Sequence, residues 1–187
     1  MAANQGGVRV RLHEKATAPE ACKPMLEAVE KGMGRVPNIL KAMANSPVAL
    51  KIYLALSGAL KESTLSPRAR DTLSLAIVQE AKCGYCVSAH AVMAKGAGFT
   101  PEQIEAARAG KSTDPKDQAA LDIALAMVRN NGFVDDRSIA AGRQAGLTDA
   151  ELAEIAAVVA LNLYTSYFNH LVQTPLDFPP AANLPQH

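Results

Sequence analysis

"SPRARDTLSLAIVQEAKCGYCVSAHAVMAKGAGFTPEQ", Ser66 to Gln103, holds three helix starts and two stops. Ser66 and Thr100 each precede a proline. A hydroxyl there can accept the first free N–H groups of a helix, and proline at the first helical position has no N–H to lose. Thr100 and Gln103 have the spacing of a capping box. Gly96 and Gly98 mark a stop. Between them, "Lys82-Cys83-Gly84" reads as a break, because glycine is a poor interior residue for a helix. The stretch therefore predicts helices over 67–81 and 84–96 and a third starting at 101.

The same grammar runs through the rest of the chain. Ser46-Pro47, Asp114-Pro115 and the Thr148/Glu151 pair mark starts, and Gly110, Gly132 and Gly146 mark stops. The remaining helices are expected over 18–32, 37–44, 47–62, 101–109, 115–130, 135–145 and 149–173. Ala and Leu, both strong helix formers, dominate them. No run alternates β-branched residues between hairpin turns. Gly6–Leu12 could extend, but one short segment makes no sheet. The expected fold class is all-α, a compact multi-helix bundle forming one domain over 1–187. It has an N-terminal arm, 1–16, and a Pro-rich tail, 174–187, either docked or frayed.

Composition narrows the function. The 187 residues suit one domain with a real core, 49% of them are hydrophobic, and 19 basic residues balance 18 acidic ones. That balance leaves no electrostatic footprint for nucleic acid or an anionic membrane, and the absence of Trp argues against base stacking. No apolar run is expected to span a bilayer. The longest, Ile155–Val172, carries two Asn and a His and reads as a buried helix. The N-terminal stretch lacks the apolar core of a signal peptide. Three cysteines make no disulfide framework, so the expected compartment is the cytoplasm.

Within the decisive stretch, Cys83, Cys86 and His90 share one helix face. Cys83 and Cys86 lie about 60° apart around the axis and Cys86 and His90 about 40°. Sulfur–sulfur bonding and sulfur–imidazole contact are both within reach. A free thiol of pKa about 8.5 is only about 3% thiolate at pH 7, and lowering it to about 6 takes roughly 3.4 kcal/mol. A helix N-terminus contributes about 0.3–1 kcal/mol. The helix start favours Cys83 as the acidic thiol; the histidine spacing favours Cys86, because a base in contact can remove the proton.

Simple packing, a zinc site and dithiol redox chemistry all use such residues. Zinc wants four ligands, commonly two separated pairs, and Cys22, His13, His170 and His187 are scattered. A c-type haem needs His directly after the second Cys, where Val87 stands. Dithiol chemistry is the favoured reading, ahead of simple packing and of zinc, and the expectation is no metal and no cofactor. Among the other polar residues, Cys22 is expected to be an inert or surface thiol and His13 to be solvated. His170 is expected to be a satisfied core histidine, and Tyr85 a packing aromatic ahead of a hydrogen-bond donor. A shift of 80 residues lays "CVSAH" (86–90) on "SYFNH" (166–170) and Asp71 on Glu151, an echo that duplication or chance would give.

The motif, flanked by "GRVPNILKAMANSPVAL" and "AAVVALNLYTSYFNHLVQTPLDFP", resembles the carboxymuconolactone decarboxylase / alkylhydroperoxidase D superfamily. The resemblance implies an all-α subunit in a homo-oligomer, with a trimer or hexamer favoured. It also implies a thiol-dependent peroxidase, with Glu-x11-Cys-x2-Cys-x3-His as the pattern. Cys86 matches the cysteine that attacks a hydroperoxide, Cys83 its resolving partner and His90 the relay histidine. Asp71 stands in the Glu position, one methylene shorter, and Glu80 beside the break is the second carboxylate candidate. An external dithiol, dihydrolipoyl or a thioredoxin-like protein, would restore the disulfide. The alternatives are a lactone decarboxylase using acid–base residues and a redox-sensing oligomer without turnover.

Overall fold

The computed structural model describes residues 7–183, and all regular structure among them is helical. The helices are α1 Lys23–Met33, α2 Asn38–Met43, α3 Pro47–Ala59, α4 Pro67–Glu80, α5 Gly84–Gly96, α6 Pro101–Arg108, α7 Pro115–Arg129, α8 Asp136–Gln144 and α9 Asp149–Val172. The expected caps form. Ser46, Ser66 and Asp114 accept backbone N–H groups, and Thr100/Gln103 and Thr148/Glu151 close full capping boxes. The first helix starts later than its composition suggests. Pro24 has no N–H to give the carbonyl of Glu20, so a 3-10 turn, Glu20–Cys22, leads in and α1 begins with Pro24 in its first turn.

α4 is the central element. It packs against α5, α6, α7 and α9, and its residues from Thr72 to Val78 are all buried. Leu73 and Ile77 of α4 meet Leu121 of α7 and Ile155 and Val158 of α9 in one apolar cluster. Burying each such side chain contributes about 1.5–3 kcal/mol. A second cluster joins α1, α2 and α3 to Cys83, Tyr85, Cys86 and Val87 at the start of α5. Gly110 is required where α6 turns toward α7: its φ is 71°, and an added Cβ would stand 2.8 Å from Leu125 Cδ1.

By length and composition α9 could cross a bilayer, which corrects the expectation that no run reaches that length. Its packing is that of a core helix, against α3, α4, α5 and α7, with Asn162, Ser166 and Asn169 buried. It runs unbroken through 161–163, where the 80-residue echo would place the α4–α5 break, so the echo does not extend to the backbone.

Both termini dock over their described parts. Arg9 N–H bonds the Val172 carbonyl at 2.8 Å, and His13 N–H bonds the Lys41 carbonyl at 3.1 Å. His13 is not merely solvated: its ring nitrogens lie 2.7 Å from the Thr17 carbonyl and 3.2 Å from Asn45 Oδ1. Cys22 is no surface thiol either. It is fully buried, and its thiol donates to the Ala44 carbonyl at 3.4 Å, because the 3-10 turn tucks it under α2. Arg108 at the end of α6 holds the carbonyls of Ala182 and Asn183, fixing the tail against that helix. The first six residues of the arm and the last four of the tail, with His187, lie outside the described residues.

Candidate functional site

The site begins at the break between α4 and α5. α4 ends when Lys82 turns left-handed, φ 57°; Lys82 N–H bonds the Gln79 carbonyl and Cys83 N–H the Val78 carbonyl. Glycine was the visible signal of this break, yet Lys82 makes the turn and Gly84 is the first helical residue of α5. The turn delivers Cys83 as the N-cap, its sulfur accepting the N–H of Cys86 at 3.3 Å. Cys83 and Cys86 are joined as a disulfide, with Cα atoms 5.2 Å apart.

The two sulfurs have different surroundings. Cys83 is 1% exposed and sealed behind the helix start, whereas Cys86 forms part of the wall of a cavity of about 170 Å³. Ile39, Leu40, Met93, Leu161 and Phe178 line that cavity, with Tyr53 and Tyr85, and no Asp, Glu, Lys or Arg reaches it. His90 lies on the same wall as Cys86, and its hydrogen-bond partner is Asn162 of α9. Burial pulls His90 down to about 4, only partly opposed by Asn162, so the imidazole is neutral at pH 7. Asn162 is itself fixed, its Nδ2 donating to Ser74 Oγ at 3.1 Å and to the Val158 carbonyl at 2.9 Å.

The two carboxylates stand apart from this cavity. Asp71, one turn before Ser74, does not line it and bonds neither cysteine nor His90; burial raises its pKa, against the pull of Arg70. Glu80 is held by Arg129 through two contacts of 3.0 and 2.8 Å, which keep its carboxyl below the usual range. His170 does not line the cavity either; Asn169 beside it does.

Two groups that sequence reasoning passed over, and a third that it read chiefly as packing, surround the cysteine pair. Asn169 Nδ2 lies 3.2 Å from Cys86 Sγ and 3.8 Å from Cys83 Sγ, and Ser166 Oγ donates to Cys86 Sγ at 3.6 Å. The third is Tyr85, which does more than pack. Its hydroxyl donates to Asp177 Oδ1 at 2.7 Å and accepts the N–H of Ile39 at 3.2 Å. Burial and then the Asp177 carboxylate raise its pKa, so it stays a neutral phenol. Asp177 also caps α2 through Asn38 N–H at 3.0 Å and meets Arg35 at 3.2 Å, while Phe178 packs edge-on against Tyr85. The only sequence signal for these contacts was the Pro-rich tail, which gives no address.

The family model of the carboxymuconolactone decarboxylase family matches residues 47–114, the span that holds α3, the break and the cysteine pair. Over that span, about a third of the 187 residues, the chain is similar to this family. Solved structures of similar fold cover nearly the whole chain. One is an uncharacterised peroxidase-related protein with an alkylhydroperoxidase core from Ralstonia eutropha JMP134, with a TM-score of 0.79, 23% identity and coverage of 95% of this chain and 94% of that one. Another is a peroxidase-related protein from Silicibacter sp. TM1040, with a TM-score of 0.76, 22% identity and coverage of 97% and 95%. A third is a Cys→Ala variant of the debrominase Bmp8 with 2,3,4-tribromopyrrole, with a TM-score of 0.78, 18% identity and coverage of 91% and 92%. Comparison with curated proteins finds no match. The cysteine pair opens through Cys86 on an apolar cavity with no Asp, Glu, Lys or Arg in its wall.

Proposed function

We propose that this protein is a thiol-dependent peroxidase that reduces organic hydroperoxides through the Cys83–Cys86 pair. The observation that carries the reading is the unequal placement of the two sulfurs: Cys86 opens on the cavity beside His90, and Cys83 sits behind it as a sealed partner. In the cycle, the Cys86 thiol gives its proton to His90, which is held by Asn162 and by neither Asp71 nor Glu80. The thiolate attacks the terminal oxygen of ROOH. The O–O bond breaks, Cys86 becomes a sulfenic acid, and the alkoxide takes the proton from His90 to leave as ROH. The Cys83 thiol then displaces water from the sulfenic acid and forms the disulfide. An external dithiol, dihydrolipoyl or thioredoxin-like, reduces it by exchange. The biological role in this reading is antioxidant defence.

A decarboxylase reading finds no support, because among the described residues no carboxylate base and no cation for an acidic substrate reach the cavity. A debrominase reading has a specific observation behind it. An apolar cavity of about 170 Å³ is close to one that holds benzene. There a thiolate can take bromine from an electron-rich ring: the ring carbon gains a proton, a sulfenyl bromide forms on Cys86, and Cys83 displaces bromide to give the same disulfide.

Turnover decides between these readings. Reduced protein is mixed with cumene hydroperoxide, hydrogen peroxide or tribromopyrrole, with dithiothreitol as reductant. The peroxidase reading predicts catalytic loss of the organic hydroperoxide, ahead of hydrogen peroxide and without bromide release from the pyrrole. One equivalent of oxidation without turnover would identify a redox sensor, and bromide release alone would identify a debrominase. The assembly belongs to the same proposal. α3 and α9 pack together and leave Val48, Ile52, Tyr167 and Leu171 exposed, the last two at 63% and 69%. A homo-oligomer, trimer or hexamer, would bury that face. Leu171→Glu should reduce the mass seen by light scattering to a monomer.

A further inference from the structure

The proposed chemistry needs a Cys86 thiolate, and His90 is a poor proton acceptor in this setting. Its buried ring holds a proton only down near pH 4, several units below an ordinary thiol, so a resting thiolate needs support from other groups. The titratable groups around Cys86 are few. α5 gives Cys83, His90 and Tyr85; α3 gives Tyr53; the tail gives Asp177, already bonded to Tyr85. None is a cation. What α9 aims at the sulfur is neutral and donating: Asn169 Nδ2 at 3.2 Å and Ser166 Oγ at 3.6 Å.

Asn169 carries a second observation. The residue is 4% exposed, and its Oδ1 is a buried acceptor with no hydrogen-bond partner. Such an orphan costs free energy and calls for an explanation. The disulfide supplies none, since neither of its sulfurs bears a proton. Reduction changes that: two electrons and two protons convert the disulfide to two thiols. When Cys86 ionises, Cys83 keeps its S–H, and Cys83 Sγ is the other sulfur within 3.8 Å of this amide.

We propose that Asn169 is a catalytic residue of this site, its amide fitted to the reduced pair. The N–H end holds the Cys86 thiolate, and the carbonyl end accepts the S–H of Cys83, so the disulfide form leaves the carbonyl unsatisfied. The amide thereby makes Cys86 the more acidic thiol despite the helix-start position of Cys83, and it favours reduction over the disulfide. Ser166 adds a weaker donor to the same sulfur. The proposal rests on the dithiol reading of the pair, but its test uses no peroxide.

The test measures iodoacetamide alkylation of Cys86 against pH in a Cys83→Ser background, where the buried Cys22 stays silent. A hydrogen bond to a charged group is worth about 10- to 100-fold in equilibrium, so Asn169→Leu should shift the alkylation curve upward by about one to two pH units, with the limiting high-pH rate unchanged. Asn169→Asp, close in shape, should shift it at least as far, because it replaces the donor with a charge of the thiolate's own sign. Ser166→Ala should shift it less. With both cysteines present, the exchange equilibrium of Asn169→Leu with dithiothreitol should move about 10- to 100-fold toward the disulfide. Far-UV circular dichroism identifies the folded variants, and Asn169→Asp carries the test if Asn169→Leu does not fold. An alkylation curve or an exchange equilibrium that stays in place in a folded variant overturns the proposal. Peroxide inactivity with shifted alkylation would instead overturn the peroxidase reading and leave Asn169 in its role.

Discussion

The cavity has two polar walls, and they are built in opposite ways. On the α5 side, Cys86 in the wall and Cys83 behind it sit at a helix start, where backbone N–H groups are free and one of them already points at Cys83 sulfur. On the α9 wall, Asn162 and Ser166 lie well inside a 24-residue helix and Asn169 in its last turn, all far from the helix start where backbone N–H groups are free. Side chains alone supply donors there. Buried polar groups are costly unless bonded, and each of these three is bonded toward α4 or α5. In the proposed chemistry the α5 wall supplies the atoms that react, and the α9 wall sets their ionisation and orientation.

The largest expected effect falls on the α5 wall. Cys86→Ser should abolish reaction with hydroperoxide, as followed by stopped-flow thiol oxidation, whereas Cys83→Ser should consume about one equivalent and stop at the sulfenic acid. His90→Ala comes next, slowing the first oxidation step by about 10²–10⁴ with partial recovery at high pH, where the thiol ionises unaided. On the α9 wall, Asn162→Leu removes the partner of His90 and should cost about tenfold in kcat/KM, the size of one neutral hydrogen bond. The His90→Ala/Asn162→Leu double variant should then be no slower than His90→Ala alone. A fully additive double variant would mean that Asn162 acts elsewhere.

The smallest effects lie in stability against pH, and two groups separate by window. His90 has a folded pKa depressed from about 6.5 to about 4. Between those values the unfolded chain binds a proton that the folded chain refuses, so stability falls as pH drops from 6.5 toward 4. Glu154 is a carboxylate whose burial is outweighed by bonds from Thr64 N–H, the Ser63 and Thr64 hydroxyls and Leu65 N–H, which bring it to about 2. Its contribution is complete above its unfolded pKa of about 4.5 and is lost as pH falls through about 2. Urea midpoints across pH should show both slopes. His90→Gln should flatten the upper window alone, and Glu154→Gln the lower one.

The contrast between the walls also explains what could be read from the sequence. Helix starts announce themselves locally, because Ser-Pro, Asp-Pro, Thr-x-x-Gln and Thr-x-x-Glu must solve the free N–H problem within a few residues. The helices, the α4–α5 break and the Cys83–Cys86–His90 face were therefore legible. Asn162, Ser166 and Asn169 recur on one face of α9, but nothing local tells a buried polar stripe from a solvated one. Their meaning depends on Cys86, 76 to 83 positions away in the chain. The same holds for Asp177, whose bonds to Tyr85 and to the start of α2 come from a segment that reads only as a Pro-rich tail. Asp71 and Glu80 show the reverse case. Asp71 holds the motif's carboxylate position and Glu80 lies beside the break, yet backbone direction carries them to α4 faces that do not line the cavity.

The most direct test of the unequal sulfurs is to identify the oxidised atom. Reduced Cys83→Ser and Cys86→Ser proteins are each given one equivalent of cumene hydroperoxide and a sulfenic-acid trap, and the adduct is located by mass spectrometry. The account predicts an adduct on Cys86 in the Cys83→Ser protein and none in the Cys86→Ser protein. An adduct on Cys83 in the Cys86→Ser protein, with Cys83→Ser unreactive, would contradict it and give the chemistry to the helix start.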